Sequence, residues 1–313
     1  MNVLVTAIGS MASEAIISSL KSKHGIHLIG CDIYPKNWIY TSNLVDNFYQ
    51  VPRADSILYI EELIRICDIE SVEYLIPLTD LEVDLLSENI DVFKKKNVTI
   101  CISEPNVIRV CRDKLLLYRE LSKCDGISVI PTYTYEEIKD HCFPIIAKPR
   151  KGRSSEGLFV AKNRNMIDSI IEDFESYVFQ PYIIGSVFTV DFVRDSNGSY
   201  FFLPRQELLR TKNGAGITVE VKENSCIENV LNCLVDCLPV KGCLNFEFIY
   251  DGKTYYLMDI NPRFSAGVAF SQLVGYDFVY NHLKVFMGLS IDCSINYSSI
   301  IVCKRYREYI NKY

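Results

Sequence analysis

The stretch LNFEFIYDGKTYYLMDINPRFS, residues 244–265, holds the side chains whose types and spacing best fit chemistry. It reads as two strands and a turn. Residues 244–250 alternate apolar and acidic, Asp251-Gly252-Lys253 is a turn signal, and 254–260 is rich in β-formers. Glu247 lies in the first strand, and Asp259, Asn261 and Arg263 close the second. Side chains alternate faces along a strand, so Asp259 and Asn261 share a face, and a hairpin can set Glu247 opposite them. Two carboxylates and an amide oxygen are hard donors, suited to Mg²⁺ that carries a nucleotide phosphate. Arg263, just past the strand end, is a permanent cation able to hold a phosphoryl group. A solvated acidic hairpin ending in an ordinary Asn-Pro turn fits the same residues, and the stretch alone does not choose between them.

Those side chains need elements to position them. Residues 3–6 read as a buried strand, Ala7-Ile8-Gly9-Ser10 as a turn, 12–21 as a helix and 27–31 as a second strand ending at Asp32. This β-α-β opening predicts a doubly wound parallel layer. Asp32 stands where a dinucleotide fold puts its ribose ligand, but the turn is not GxGxxG, so bound NAD is not expected. The alternation continues with a helix at 56–67, a strand at 74–77, a helix at 81–94 and a strand at 98–102. Thr79-Asp80 falls at a strand's carboxyl end, where open α/β sheets bind ligands. Helix capping, with Glu82 in the first turn, explains the pair more cheaply.

The pattern shifts around 105–113. A helix at 113–123 carries Lys114 near its start, and a strand at 143–148 ends in Lys148. Next comes the loop 150–157, RKGRSSEG, and a strand at 158–161. A strand–loop–strand with cations and small polar residues can fold over phosphates. It also reads as an exposed hairpin tip, and it is not GxxxxGK[ST]. Asn165 is the expected cap of a helix at 166–176. The strand 177–183 contains Pro181, which marks an edge or a crossing. Strands at 188–194 and 200–208 lead to a second basic loop with Arg210, Lys212, Gly214 and Gly216. Helices at 225–238 and 278–289 and a strand at 299–303 complete the chain.

The 313 residues suggest two or three domains, and a formal net charge of −6 argues against a phosphate-tracking nucleic-acid surface. No basic-then-apolar leader and no membrane-length apolar run is present. The 12 cysteines are scattered without zinc-ligand spacing, and Cys233 and Cys237 read as buried thiols. A reduced, cytoplasmic chain is the expectation. The four histidines show no metal-ligand clustering, and no GxSxG nucleophile elbow occurs.

Taken in order, these features resemble the ATP-grasp superfamily of carboxylate–amine ligases. The likeness is to stand-alone members similar to the carbamoyl phosphate synthetase large subunit and the pyrrolysine-biosynthesis ligase. It covers nearly the whole chain, and MDINPRFSAG is its most specific part. It implies an α/β fold, with a Rossmann-like pre-ATP-grasp domain (1–110) followed by a two-subdomain ATP-grasp fold. The small subdomain with the phosphate loop would be 111–180, and the subdomain with the metal site 181–313. It implies an ADP-forming ligase that activates a small carboxylate for attack by an amine, using ATP and Mg²⁺, with Mn²⁺ as a substitute. Lys114 and Lys148 match the lysines on the ATP phosphates, and Arg150, Ser154, Ser155 and Gly157 belong to the loop that closes over them. Gln180, Pro181, Tyr182 and Ile183 match the hinge beside adenine. Glu247, Asp259 and Asn261 match the magnesium ligands, and Arg263, with Lys148, the phosphoryl-transfer groups.

Arg210 and Lys212 are candidate substrate contacts. Val187 stands where relatives carry a ribose-binding acid, and Asp191 is the candidate replacement. Asp259 stands where Glu is commoner. The implied partners are small molecules, with no nucleic acid or membrane, and a homodimer is the commonest assembly. The alternative on the same fold is a non-catalytic nucleotide-binding or regulatory protein.

Overall fold

β1 (Asn2–Val5) is apolar and buried after Asn2 because both its faces are covered. Val3 and Val5 enter one core and Leu4 another. The computed structural model describes residues 1–139, 143–152 and 155–311. After β1 come α1 (Ser13–Lys21), β2 (His27–Asp32), β3 (Asn47–Gln50), α2 (Tyr59–Glu70), β4 (Tyr74–Ile76), α3 (Asp80–Glu88), α4 (Ile90–Lys94) and β5 (Thr99–Ile100). The strands form a parallel sheet in the order β3-β2-β1-β4-β5. That is the doubly wound layer the β-α-β opening predicts. The expected helix 81–94 is two helices, broken at Asn89.

α5 (Pro105–Arg112) and α6 (Lys114–Leu121) follow, then β6 (Ile145–Pro149), β7 (Phe159–Ala161), α7 (Arg164–Ile170) and β8 (Tyr177–Pro181). These strands make a small antiparallel sheet, β7-β6-β8, with Pro181 on an edge strand. Asn163, rather than Asn165, caps α7, its side chain accepting the Met166 amide at 3.0 Å. The last portion holds β9 (Ser186–Arg194), β10 (Tyr200–Arg210), β11 (Gly216–Val221), α8 (Ser225–Cys237), β12 (Gly242–Tyr250), β13 (Tyr255–Asn261), α9 (Val268–Leu273), α10 (Phe278–Phe286) and β14 (Ile300–Cys303). Its six strands run antiparallel in the order β13-β12-β9-β10-β11-β14.

One continuous core joins the first sheet to the last. Val3, Val5, Ile16 and Leu20 pack in the same cluster as Phe270, Phe278, Val279 and Leu283. Ser19 Oγ donates to Asp277 Oδ1 at 2.7 Å across this seam. Buried His282 stitches it further. The Cys243 amide donates to its Nδ1 at 2.8 Å, and Nε2 lies 3.1 Å from the Cys101 carbonyl. Cys124 and Cys237 are joined as a disulfide, a correction to the expectation of free thiols. They are 113 residues apart and meet only because α8 packs in the same core as α6, which no local spacing reveals.

Burial holds the His282 imidazole neutral and pushes its pKa down to about 3, from an ordinary 6.5. Below 6.5 the unfolded chain takes up a proton that the folded chain refuses, so stability falls as pH drops from 6.5 towards 3. The slope is about 1.4 kcal/mol per pH unit, giving a loss of about 2 kcal/mol by about pH 5. Urea unfolding of wild type and His282→Gln at neutral and acidic pH checks this. The variant, though weaker at neutral pH, should lack this acid increment.

Candidate active site

The hairpin of β12 and β13 sets Glu247 opposite Asp259 and Asn245 opposite Asn261. Its turn is fixed by Asp251, whose Oδ1 accepts the Lys253 and Thr254 amides, each at 2.8 Å, and by Gly252 at a φ of +99°. The register slips after Glu247, so Phe248 faces Leu257 and Met258 has no opposite residue. This bulge lets Leu257 and Ile260 both enter the core with Phe246 and Phe248, while Asp259 faces the polar side. Asn261 Nδ2 donates to Asn245 Oδ1 at 3.1 Å and to Glu247 Oε1 at 3.3 Å.

Two lysines converge on Asp259. Lys148 Nζ, on β6, lies 3.2 Å from Oδ2, and Lys114 Nζ, at the first residue of α6, lies 3.6 Å from Oδ1. Asp113 starts that helix by accepting the Leu115 and Leu116 amides at 3.1 Å each. Burial pushes Asp259 up, but Lys148 and Lys114 outweigh it and hold the carboxyl below its ordinary range. Burial raises Glu247, helped by Asp259 and opposed by Arg210. Burial lowers Lys148 although Asp259 opposes it.

Arg263 makes a bidentate pair with Asp80, Nε and Nη2 each 2.9 Å from a carboxylate oxygen. Asp80 also lies 3.5 Å from Arg112, which is itself paired with Asp84 at 2.8 Å. The Thr79-Asp80 ambiguity divides between the two residues. Thr79 forms a capping box with Glu82, while Asp80 reaches across to the hairpin arginine. Asp32 is scaffold: Gly9 N donates to its Oδ2 at 2.7 Å and Tyr34 N to its Oδ1 at 3.1 Å.

β10 adds a second set that alternation could have found but the sequence reading missed. Arg205 and Glu207 share a face, and bulges around Leu209 turn Arg210 to join them. Arg210 Nη2 lies 3.3 Å from Glu247 Oε2, and its Nε donates to the Gly214 carbonyl at 2.8 Å.

These groups line one cavity of about 550 Å³. It brings together Lys114, Lys148, Ser155, Arg210, Glu247, Asp259, Asn261 and Arg263 from the predicted set, with Thr79 and Asp80 from the strand-end pair, and adds Arg112, Arg205, Glu207 and Asn245. Ser10, Met11 and Ala12, from the turn after β1, close one wall. The donors suit Mg²⁺: two carboxylates and an amide oxygen share one strand-paired face, and phosphate oxygens could complete the shell.

Comparison with known families matches residues 111–267 to the ATP-grasp domain and 3–101 to the PylC-like N-terminal domain. The chain belongs to the ATP-grasp family. Among curated relatives it is 23% identical to the carbamoyl phosphate synthase arginine-specific large chain of Halalkalibacterium halodurans, over 79% of this chain and 25% of that protein. It is 22% identical to the D-alanine–D-alanine ligase of Petrotoga mobilis, over 47% of this chain and 59% of that one. It thus spans about a quarter of the first relative and under two thirds of the second. The fold matches a Campylobacter jejuni biotin carboxylase in complex with β-γ-ATP, with a TM-score of 0.78 at 16% identity, over 93% of this chain and 72% of that one. It also matches Staphylococcus aureus N5-carboxyaminoimidazole synthetase, with a TM-score of 0.76 at 16% identity, over 96% of this chain and 81% of that one.

Several expected ATP-grasp contacts are not brought to this cavity. Asp191 is not free for a ribose: its Oδ2 accepts from Arg205 Nη1 and Ser271 Oγ, each at 2.6 Å, in the buried interior. Arg150 is committed to Asp113, with Nη2 at 2.8 Å, and helps fix the start of α6 instead of lining the cavity. Gly157 packs against Pro149 and Tyr177, and Lys212 points outward from the loop after β10. Gln180, Pro181, Tyr182 and Ile183 lie off the cavity lining at the end of β8. The Gln180 amide is turned inward, donating to Thr132 Oγ1 at 2.8 Å. Ser154 lies outside the described residues.

Proposed function

We propose that this ATP-grasp chain is an ATP- and Mg²⁺-dependent ligase that activates a small carboxylate as an acylphosphate for attack by an amine. The carrying observation is Asp259 held between Lys148 and Lys114, on the hairpin face that also presents Glu247 and Asn261. A site that gathers cations onto one strand-end carboxylate is primed to exchange those ion pairs for phosphate oxygens. Glu247, Asp259 and Asn261 would hold Mg²⁺, which supplies charge neutralisation when bound.

A carboxylate resists amines because its oxygen is a poor leaving group. Attack by that oxygen on the γ-phosphorus, with the bond to ADP breaking, gives an acylphosphate whose phosphate can leave. Lys148 and Lys114 hold phosphate charge, and Arg263 faces the transferred group. Ser155, with a left-handed φ of +56°, belongs to the loop that excludes water from the intermediate.

In the same reading, residues 1–110 serve as the pre-ATP-grasp domain, 111–180 as the small subdomain and 181–313 as the metal-bearing subdomain. The protein works in the cytoplasm on small-molecule carboxylates and amines, Mn²⁺ can replace Mg²⁺, and a homodimer is the simplest assembly.

ADP release across a panel of amino acids and other small carboxylates, with and without amines, tests this reading. Release that depends on one carboxylate supports it, and a flat panel with ATP bound favours a non-catalytic binder. Asp259→Asn keeps the shape but removes the charge. The Mg²⁺ concentration needed for half-maximal ADP release should rise at least about tenfold. An unchanged Mg²⁺ requirement would take Asp259 out of the metal set.

A further inference from the structure

Glu207 is a buried carboxylate in the cavity wall that the chemistry above does not use. Its side chain is only 2% exposed, and its Oε2 has no hydrogen-bond partner among the described residues. Burying an acceptor unpaired costs on the order of 1–3 kcal/mol, more when it is charged, so its presence needs a reason. Charge balance within the protein accounts for it only in part, through Arg205 and Lys304, and leaves Oε2 without a hydrogen bond among the described residues. Arg205 reaches the other oxygen, Oε1, only at 3.4 Å, and gives its closer contacts to Asp191 at 2.6 Å and Ser265 at 3.0 Å. Arg210 is turned to Glu247, and Lys304 donates to the Ala266 carbonyl at 2.9 Å.

The backbone beside Glu207 is cut away to fit it. A Cβ on Gly216 would stand 2.2 Å from Oε2, so the first residue of β11 makes room for the carboxylate. Phosphates and the carboxylate substrate are anions, and the wall cations Lys114, Lys148, Arg210 and Arg263 suit them. A free acceptor oxygen suits the remaining reactant, which carries N–H donors and a positive charge before it attacks.

We infer that Glu207 Oε2 receives the ammonium group of the amine substrate and orients it at the acceptor end of the cavity. This rests on the ligase reading and specifies its nucleophile as an ammonium-bearing amine rather than a neutral amide.

The test separates the two half-reactions. Hydroxylamine, uncharged at neutral pH, traps acylphosphates as hydroxamates and needs no ammonium site. Wild type, Glu207→Gln and Gly216→Ala are given ATP, Mg²⁺ and the carboxylate panel. The nucleophile is either hydroxylamine or an ammonium-bearing probe: ammonium chloride, methylamine or the common amino acids. Both variants should form hydroxamate at close to the wild-type rate, while KM for the coupled amine rises about 10–100-fold. Gly216→Ala keeps the charge and displaces it, so agreement between the variants ties the effect to the position of Oε2.

An unchanged amine KM overturns the inference. So does loss of hydroxamate or a shifted Mg²⁺ requirement in Glu207→Gln, which would assign the residue to phosphoryl transfer. Wild type that forms hydroxamate yet couples none of the amines also overturns it. Wild type that forms no hydroxamate with any carboxylate is the separate failure of the ligase reading, and the inference falls with it.

Discussion

Arg263→Ala should lower carboxylate-dependent ADP release by about 10³-fold while ATP binding stays within a few-fold of wild type. A guanidinium aimed at the transferred phosphoryl group contributes most where charge moves, in the transition state, and little to ground-state nucleotide binding. In the proposed reading, the bidentate contact with Asp80, at 2.9 Å on both arms, presets Arg263 for this by holding the guanidinium in the cavity wall. Arg263→Lys should recover little, because an ammonium cannot make the same fork. Comparing ADP release with direct ATP binding by calorimetry separates the two effects. Wild-type turnover in Arg263→Ala would remove the residue from the reaction.

Asp191→Ala should destabilise the fold by about 3–5 kcal/mol in urea. The Arg205 side chain is 2% exposed, and its short contact is to Asp191 Oδ2 at 2.6 Å. Removing the acid strands a buried permanent cation with Ser265 and the long contact to Glu207. Ser271 Oγ, which donates to the same carboxylate oxygen at 2.6 Å, is orphaned too. A loss below about 1 kcal/mol would mean that Glu207 takes over the pairing, which contradicts its role as a free acceptor.

The hairpin was legible because its signals are local. Alternation, the Asp251-Gly252 turn and the polar set Glu247, Asp259, Asn261 and Arg263 all lie within one short stretch. The parallel layer was legible for the same reason, as buried runs such as Val3–Val5 need cover on both faces. Long-range pairing was not. Asp80 and Arg263 are 183 residues apart, and nothing around either predicts that the capping segment of α3 supplies the arginine's partner. Asp191 fits a ribose contact by position along the chain, but its place between Arg205 and Ser271 depends on β10 and α9. Arg205-x-Glu207 carried a period-two signal, yet the bulge that adds Arg210 to the same face shows only in the strand register.

The most direct test of the acylphosphate claim follows oxygen. The carboxylate that triggers ADP release is supplied with both oxygens as ¹⁸O, and the released phosphate is examined by ³¹P NMR. Activation as an acylphosphate predicts one ¹⁸O in each phosphate, carried over when the amine displaces it. Phosphate that carries no label while ADP accumulates would mean that water attacks ATP directly, and the protein would not be a carboxylate–amine ligase.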